Sequence, residues 1–119
     1  METITATTEE VFNHHLEAIR NRNLHETMAD YHEDAILITS IDVFKGKAAI
    51  QEFFKFVYEA IFTEGFTIEI QKQVVEGDLL FIVWNARSST FDIPNASDTF
   101  LIQDGLIVRQ TGFVLMNPV

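Results

Sequence analysis

The sequence predicts an α+β domain spanning residues 1–119, with helices first and a meander of antiparallel strands after them. Three observations predict it. Apolar residues recur at helical spacing as far as Phe62, the period then changes to about two beyond Gly65, and two turn signals, Glu76-Gly77-Asp78 and Asp104-Gly105, divide the second half into hairpins. Helices followed by antiparallel strands must pack as layers, three helices covering one face of a curved, mainly antiparallel sheet. An apolar pocket is expected between the layers.

The first helix is announced by Thr7-Thr8-Glu9-Glu10, in which Thr7 can cap and Glu10 can close a capping box. Phe12, His15, Leu16 and Ile19 then share one face, and Arg20 to Asn23 end the helix. A shorter second helix carries Leu24, Met28 and Tyr31 as its buried stripe and leaves through His32-Glu33-Asp34. Ala35 to Ser40 reads as a short strand. Gly46 separates it from a third helix over about Lys47 to Phe62, whose stripe is Ile50, Phe53, Phe54, Val57 and Ile61. Phe66, Ile68 and Ile70 alternate with polar residues, as a half-buried strand does. A long strand from Leu79 to about Thr90 follows. A loop with Pro94 and Asn95 leads to the strand Ser97–Gln103, and Leu106–Met116 is the last strand.

Composition narrows the function. At 119 residues and 47% hydrophobic, with eleven phenylalanines, the chain can bury a core and is not disordered. With no cysteine, disulfide scaffolds and thiol nucleophiles are excluded. A net charge of −10 repels phosphate backbones and anionic membranes, so neither nucleic acid nor membrane is expected as a partner. No apolar run approaches the roughly 20 residues of a spanning helix, and METITATTEE has no signal-peptide pattern, so a cytoplasmic protein is expected. There is no Gly-rich phosphate loop and no serine nucleophile elbow, and no cofactor is expected.

Register counted from the turns distributes the sheet residues between two faces. If Asp104-Gly105 is a two-residue turn, Gln103 pairs with Leu106, Phe100 with Arg109 and Asp98 with Thr111; the looser connection near Pro94 puts Arg87 roughly opposite Asp98. One face then holds Asn85, Arg87, Asp98, Phe100 and Arg109 among apolar residues. The other holds Ile82, Trp84, Leu101 and Val108 and is more uniformly apolar. A monomer would expose it as a large patch, which predicts a homodimer packed through that face.

Most of the chain resembles the nuclear-transport-factor-2-like superfamily, which includes ketosteroid isomerases, SnoaL-like polyketide cyclases and limonene epoxide hydrolases. The resemblance is carried by Leu24-x6-Tyr31-His32-Glu33-Asp34-Ala35, by Phe44-Lys45-Gly46-Lys47-Ala48-Ala49-Ile50-x2-Phe53-Phe54, and by Asp104-Gly105-Leu106-Ile107. It implies a cone-shaped fold with a pocket for a small apolar molecule, and often a dimer. In ketosteroid isomerases a tyrosine and a protonated aspartic acid form an oxyanion hole and a second aspartate moves the proton. Here the strand aspartic acid corresponds to Asp98, the tyrosine to His15, and the base to a position near Thr39, which cannot act as one. Steroid isomerase activity is therefore not expected. The aspartate–arginine–aspartate set of the epoxide hydrolases is also incomplete, because Arg87 and Asp98 are present but Asn85 stands where a carboxylate is needed.

Asp98 and His15 are the candidate catalytic pair. Asp98 shares a face with Phe100 and Ile102, where desolvation raises a carboxyl pKa and a neighbouring Arg87 lowers it. It is either a general acid or half of a structural ion pair with Arg87. His15 is either a general base or a satisfied buried histidine. Arg87, Arg109, Asn85, Phe100, Tyr31 and Phe54 are candidate ligand contacts, Arg109 through a bidentate grip on a carboxylate. His25, His32, Glu33 and Asp34 lack the convergent spacing of a metal site and read as a solvated helix end. Two functions fit: acid/base chemistry on an apolar ligand (isomerase, cyclase or hydratase/hydrolase type), or non-catalytic ligand binding or partner recruitment.

Overall fold

The computed structural model describes residues 6–119 and has the predicted order, with more strand than the sequence suggests. Helices α1 (Thr8–Arg20) and α2 (Leu24–Ala29) precede strand β1 (Tyr31–Thr39), a short β2 (Val43–Lys45) and helix α3 (Lys47–Phe56). The last turn of α3 widens into a π-helical segment, Val57–Ile61, and β3 (Thr67–Glu76), β4 (Leu79–Arg87), β5 (Phe91–Gln103) and β6 (Leu106–Pro118) complete the chain. The six strands lie in the order β2-β1-β6-β5-β4-β3. Only β1 and β6 run parallel.

α1 starts as expected. The Thr7 hydroxyl accepts from the Glu10 N–H at 3.2 Å, and the Glu10 carboxylate accepts from the Thr7 N–H at 2.9 Å. Val11, Phe12, His15 and Ala18 form its buried stripe, and Leu16 and Ile19 flank it half-buried. The expected stripe is thus turned slightly towards Val11 and Ala18.

Three expectations about the chain path are corrected. Tyr31 to Asp34 belong to β1, not to a helix. α2 stops at Asp30, whose carbonyl accepts from the Ile107 N–H at 2.7 Å, and this bond delivers Tyr31 to β6 opposite Ile107. The next paired residue is Ile36, opposite Arg109, so the polar His32-Glu33-Asp34 stretch is accommodated as a bulge. Pro94 and Asn95 lie within β5 rather than in a loop. There Ala96 pairs with Trp84 and Ile93 with Ala86, which places one extra β5 residue where a proline costs no ladder hydrogen bond. Val43–Lys45 forms an edge strand on β1 that the sequence reading lacks.

The most consequential correction is one of register. Asp104 and Gly105 both have positive φ, 52° and 78°, and Gln103 pairs with Leu106 as counted from that turn. One step further, Ile102 pairs with Ile107 but Leu101 with Arg109, so Val108 is an inserted residue. Phe100 consequently pairs with Gln110, not Arg109, and Asp98 with Gly112, not Thr111. Arg87 pairs with Asp92, while Asp98 has Ile82 as its β4 neighbour, so the expected Arg87–Asp98 pairing is not formed.

Because side chains alternate, the insertion changes which β6 residues face inward. Gln110, Gly112, Val114 and Met116 join Leu80, Ile82, Trp84, Ala86, Phe100 and Ile102 on the side covered by the helices. Arg109, Thr111, Phe113 and Leu115 face away. The expected dimer face is therefore split: Ile82 and Trp84 are core residues, at 5% and 8% exposure, while Leu101 and Val108 stay half-exposed.

Candidate functional site

Between the helices and the inner face of the sheet lies a cavity of about 270 Å³. Its walls come from Phe12 and Leu16 of α1, Phe53 and Phe54 of α3, Phe62 after the π-helical segment, and Ile82, Trp84, Ile93 and Phe100 of the sheet. The phenylalanines line this space without filling it. Phe12 and Phe100 pack with ring centroids 5.6 Å apart, and Phe62 meets Trp84 edge-on at 5.9 Å. Ser40, Ile41 and Phe56 mark the mouth, where Ile41 is 86% and Phe56 56% exposed. Thr39, Ser40, Asp98 and Gln110 are the lining residues with polar side chains apart from the Trp84 indole N–H.

Asp98 is the only ionisable residue among them. It sits in mid-strand on β5, and what remains accessible of it faces the cavity. One carboxylate oxygen, Oδ1, accepts from the Trp84 indole N–H at 2.9 Å, and Oδ2 accepts from the Gln110 side-chain N–H at 2.8 Å. Burial pushes its pKa up from 3.8 to about 6, although the Gln110 and Trp84 hydrogen bonds pull the other way. Such a carboxyl can both hold and release a proton near neutral pH.

Space for this carboxylate is provided by Gly112. A β-carbon there would lie 2.8 Å from Asp98 Oδ2 and 3.3 Å from its Cγ. The glycine is required for room, not for backbone conformation, since its φ lies outside the positive range. Trp84, Gln110 and Gly112 are the site residues that the sequence reading missed. The signal for Gly112 was a glycine interrupting a strand; Gln110 and Trp84 were hidden by the register error.

The other predicted site residues divide into three groups. Phe54 and Phe100 line the cavity beside Asp98. His15 and Tyr31, 0% and 1% exposed, do not line it but stand directly behind it. The Tyr31 hydroxyl donates to Gln110 Oε1 at 2.5 Å and meets His15 Nε2 at 3.3 Å, while His15 Nδ1 faces Asp30 Oδ2 at 3.0 Å. Burial, then the Asp98 carboxylate, the Tyr58 phenol and the Asp30 carboxylate, hold the Tyr31 pKa well above the usual phenol range. Asn85, Arg87 and Arg109 lie outside the cavity. Asn85 pairs with Glu69, Arg87 is exposed at the end of β4, and the Arg109 guanidinium donates to the carbonyls of Val108 and Asp34. His25 is exposed, and His32 Nδ1 accepts from the Asp34 N–H within the β1 bulge.

This architecture, helices over a curved and mostly antiparallel sheet, is the nuclear-transport-factor-2-like fold. Residues 12–110 match the SnoaL-like domain, and the chain belongs to that family. No protein of curated function matches the chain. Among solved structures it is similar to the epoxide hydrolase/cyclase-like enzyme SalBIII of pyran ring formation in polyether salinomycin. That likeness has a TM-score of 0.79 at 20% identity and covers 94% of this chain and 95% of that one. An NTF2-like protein of unknown function from Cytophaga hutchinsonii is similar at TM-score 0.77 and 14% identity, over 97% of this chain and 95% of the other. TerC, co-crystallised with polyporic acid, follows at TM-score 0.76 and 15% identity, over 92% of each chain. At these identities the likeness is one of fold.

Proposed function

We propose that the chain binds a small, mainly apolar molecule bearing one polar group, and that Asp98 exchanges a proton with that group. The observation that carries this reading is a single carboxyl, with a pKa near 6, set into an otherwise apolar cavity. A lone group of this kind suits a proton shuttle that takes a proton from one atom of the ligand and returns it to another. An isomerisation, or the proton-transfer step of a cyclisation, needs no more than that. The pyran-forming enzyme and the polyporic-acid complex among the structural neighbours are in keeping with a small ligand in such a pocket. The same observation favours a second reading. With no second ionisable group on the lining among the described residues, the cavity also suits a binding module without chemistry.

A neutral bicyclic ketone, 2-tetralone, separates the two. Binding is read from the indole N–H resonance of Trp84, the chain's only tryptophan, and proton transfer from exchange of the ketone's α-hydrogens in heavy water. A saturable Trp84 shift with accelerated exchange, lost in Asp98→Asn while binding persists, is the result expected of the shuttle. Binding without exchange leaves the binding module. No saturable Trp84 shift overturns both. Gly112→Ala, which drives a methyl into Asp98 Oδ2, is expected to weaken binding at least 10-fold, equivalent to about 1.4 kcal/mol, in the same titration.

Assembly belongs to this reading as well. The outward face of the sheet, where Phe113 is 58%, Leu115 51% and Leu79 44% exposed, suits a homodimer contact in place of the face first expected.

A further inference from the structure

A continuous line of hydrogen bonds leads away from Asp98 to the protein surface. It runs from Asp98 through Gln110, Tyr31 and His15 to Asp30, and then to His14, whose Nδ1 lies 2.7 Å from Asp30 Oδ1. His14 opens onto a surface depression that it shares with Glu17 and Glu26, so this end of the line meets solvent. The function proposed above uses only the pocket end.

The direction of each bond can be deduced. A tyrosine hydroxyl has one hydrogen, and that of Tyr31 is given to Gln110 Oε1. The contact between Tyr31 and His15 therefore requires His15 Nε2 to be the donor. On the other side of the ring, Nδ1 faces the Asp30 carboxylate, which only accepts. In this first arrangement His15 carries a hydrogen on both nitrogens, while Asp98, accepting from Trp84 and Gln110, is a carboxylate.

A second arrangement satisfies every link equally well. If Asp98 Oδ2 carries the proton, it donates to a Gln110 amide turned over to present its oxygen. The Gln110 N–H then donates to Tyr31, and the Tyr31 hydroxyl donates to a bare His15 Nε2. Both arrangements hold the same number of protons. In going from the first to the second, one N–H bond is lost at His15 Nε2 and one O–H bond is gained at Asp98. Tyr31 and Gln110 end with as many hydrogens as they began with. With Asp30 a carboxylate, any other placement of the same protons leaves two donors or two acceptors face to face in a buried line, which is costly.

We propose that His15 is the proton store for Asp98, the two residues sharing one proton through Tyr31 and Gln110. His15 touches no ligand. It acts through Asp98, recharging the carboxyl once it has given its proton away. The groups facing this pair are few. Around His15 they are Asp30, His14 and Tyr31, with the uncharged rings of Phe54 and Phe100 closing the other sides. Around Asp98 they are Trp84, Gln110 and Gly112, and Tyr58 of the π-helical segment, its hydroxyl bonded to Thr27, is the further titratable group that bears on Tyr31. The use of the store rests on Asp98 exchanging protons with a ligand; the coupling itself belongs to the free protein.

Asp98→Asn tests it directly. The Trp84 indole N–H can only donate, so it holds the asparagine oxygen at the Oδ1 position and forces the asparagine N–H towards Gln110. The substitution thus imposes the second arrangement. In ligand-free protein at neutral pH, nitrogen NMR of the imidazoles is expected to show both His15 nitrogens carrying hydrogen in the unsubstituted chain. In Asp98→Asn, Nε2 is expected to be bare. In a Tyr31→Phe background, where the line is cut, Asp98→Asn is expected to leave the His15 signals unchanged; Gln110→Met cuts it on the other side of Tyr31 and serves if Tyr31→Phe does not fold. A bare Nε2 in the unsubstituted chain overturns the proposal. So does a His15 that ignores Asp98→Asn, or one that responds equally with the line cut. Because no ligand is present, these outcomes are independent of those with 2-tetralone.

Discussion

At the scale of single residues, Asp98 is held at an energetic disadvantage. Its carboxyl has a pKa of about 6 in the folded chain against an ordinary value of 3.8, so the folded state binds more protons than the unfolded one between those values. Stability therefore falls as pH rises through that window, by about 3 kcal/mol at 1.36 kcal/mol per pH unit, and below it the penalty disappears. Asp98→Asn is expected to raise the urea midpoint at about pH 8 and to leave it nearly unchanged at about pH 4. Equal effects at both pH values would mean that the carboxyl is not desolvated. A group that costs stability where it stands is a usual mark of a functional site. The sequence made Asp98 visible, as a carboxylate among Phe100 and Ile102. Its partners were not visible, because Gln110 and Trp84 reach it only across strands.

At the scale of elements, what could be read from the sequence followed locality. The capping box of α1, the stripe of α3 and the two glycine turns depend on neighbours in the chain, and all stand where they were expected. Thr7→Ala, which removes one bond of the box and unseats the other, is expected to cost about 1 kcal/mol. A lower urea midpoint with an unchanged slope and an unchanged Trp84 N–H resonance would check it; loss of that resonance would mean that α1 sets the pocket as well as covering it. Strand faces were less legible, since each inserted residue reverses the alternation beyond it. Val108, the Pro94 bulge and the His32–Asp34 bulge each did so. Arg87 was matched to Asp98 because the connection was expected at Pro94, whereas the chain turns at Ser88–Thr90 and pairs Arg87 with Asp92. The reversal also moved Trp84 from the expected interface to the cavity wall.

For the molecule as a whole, the order of helices and strands was enough to fix the fold class. The sheet wall of the cavity did not follow from the sequence, because Ile82 and Trp84, expected on the outer face, line it. Which face would serve the proposed dimer did not follow either, for the same reason. The long axis of 52 Å exceeds the other two, 29 and 24 Å, so the outer face of the sheet is broad for a chain this small. Phe113→Asp combined with Leu115→Asp is expected to convert a dimer to a monomer in sedimentation velocity at micromolar concentration, with Asp98 and its cavity untouched. A unit mass before substitution would dispose of the dimer.

The contact between Gly112 and Asp98 has a bearing on descent. A carboxylate that occupies the volume of a missing β-carbon ties two positions fourteen residues apart into one heritable unit. A lineage that acquires any side chain at 112 must give up the acid at 98 or move it, and one that loses the acid is released from the glycine. Among SnoaL-like chains, an aspartate and a glycine in these two places should therefore be inherited together, and their joint occurrence would mark the members that keep an acid in the cavity.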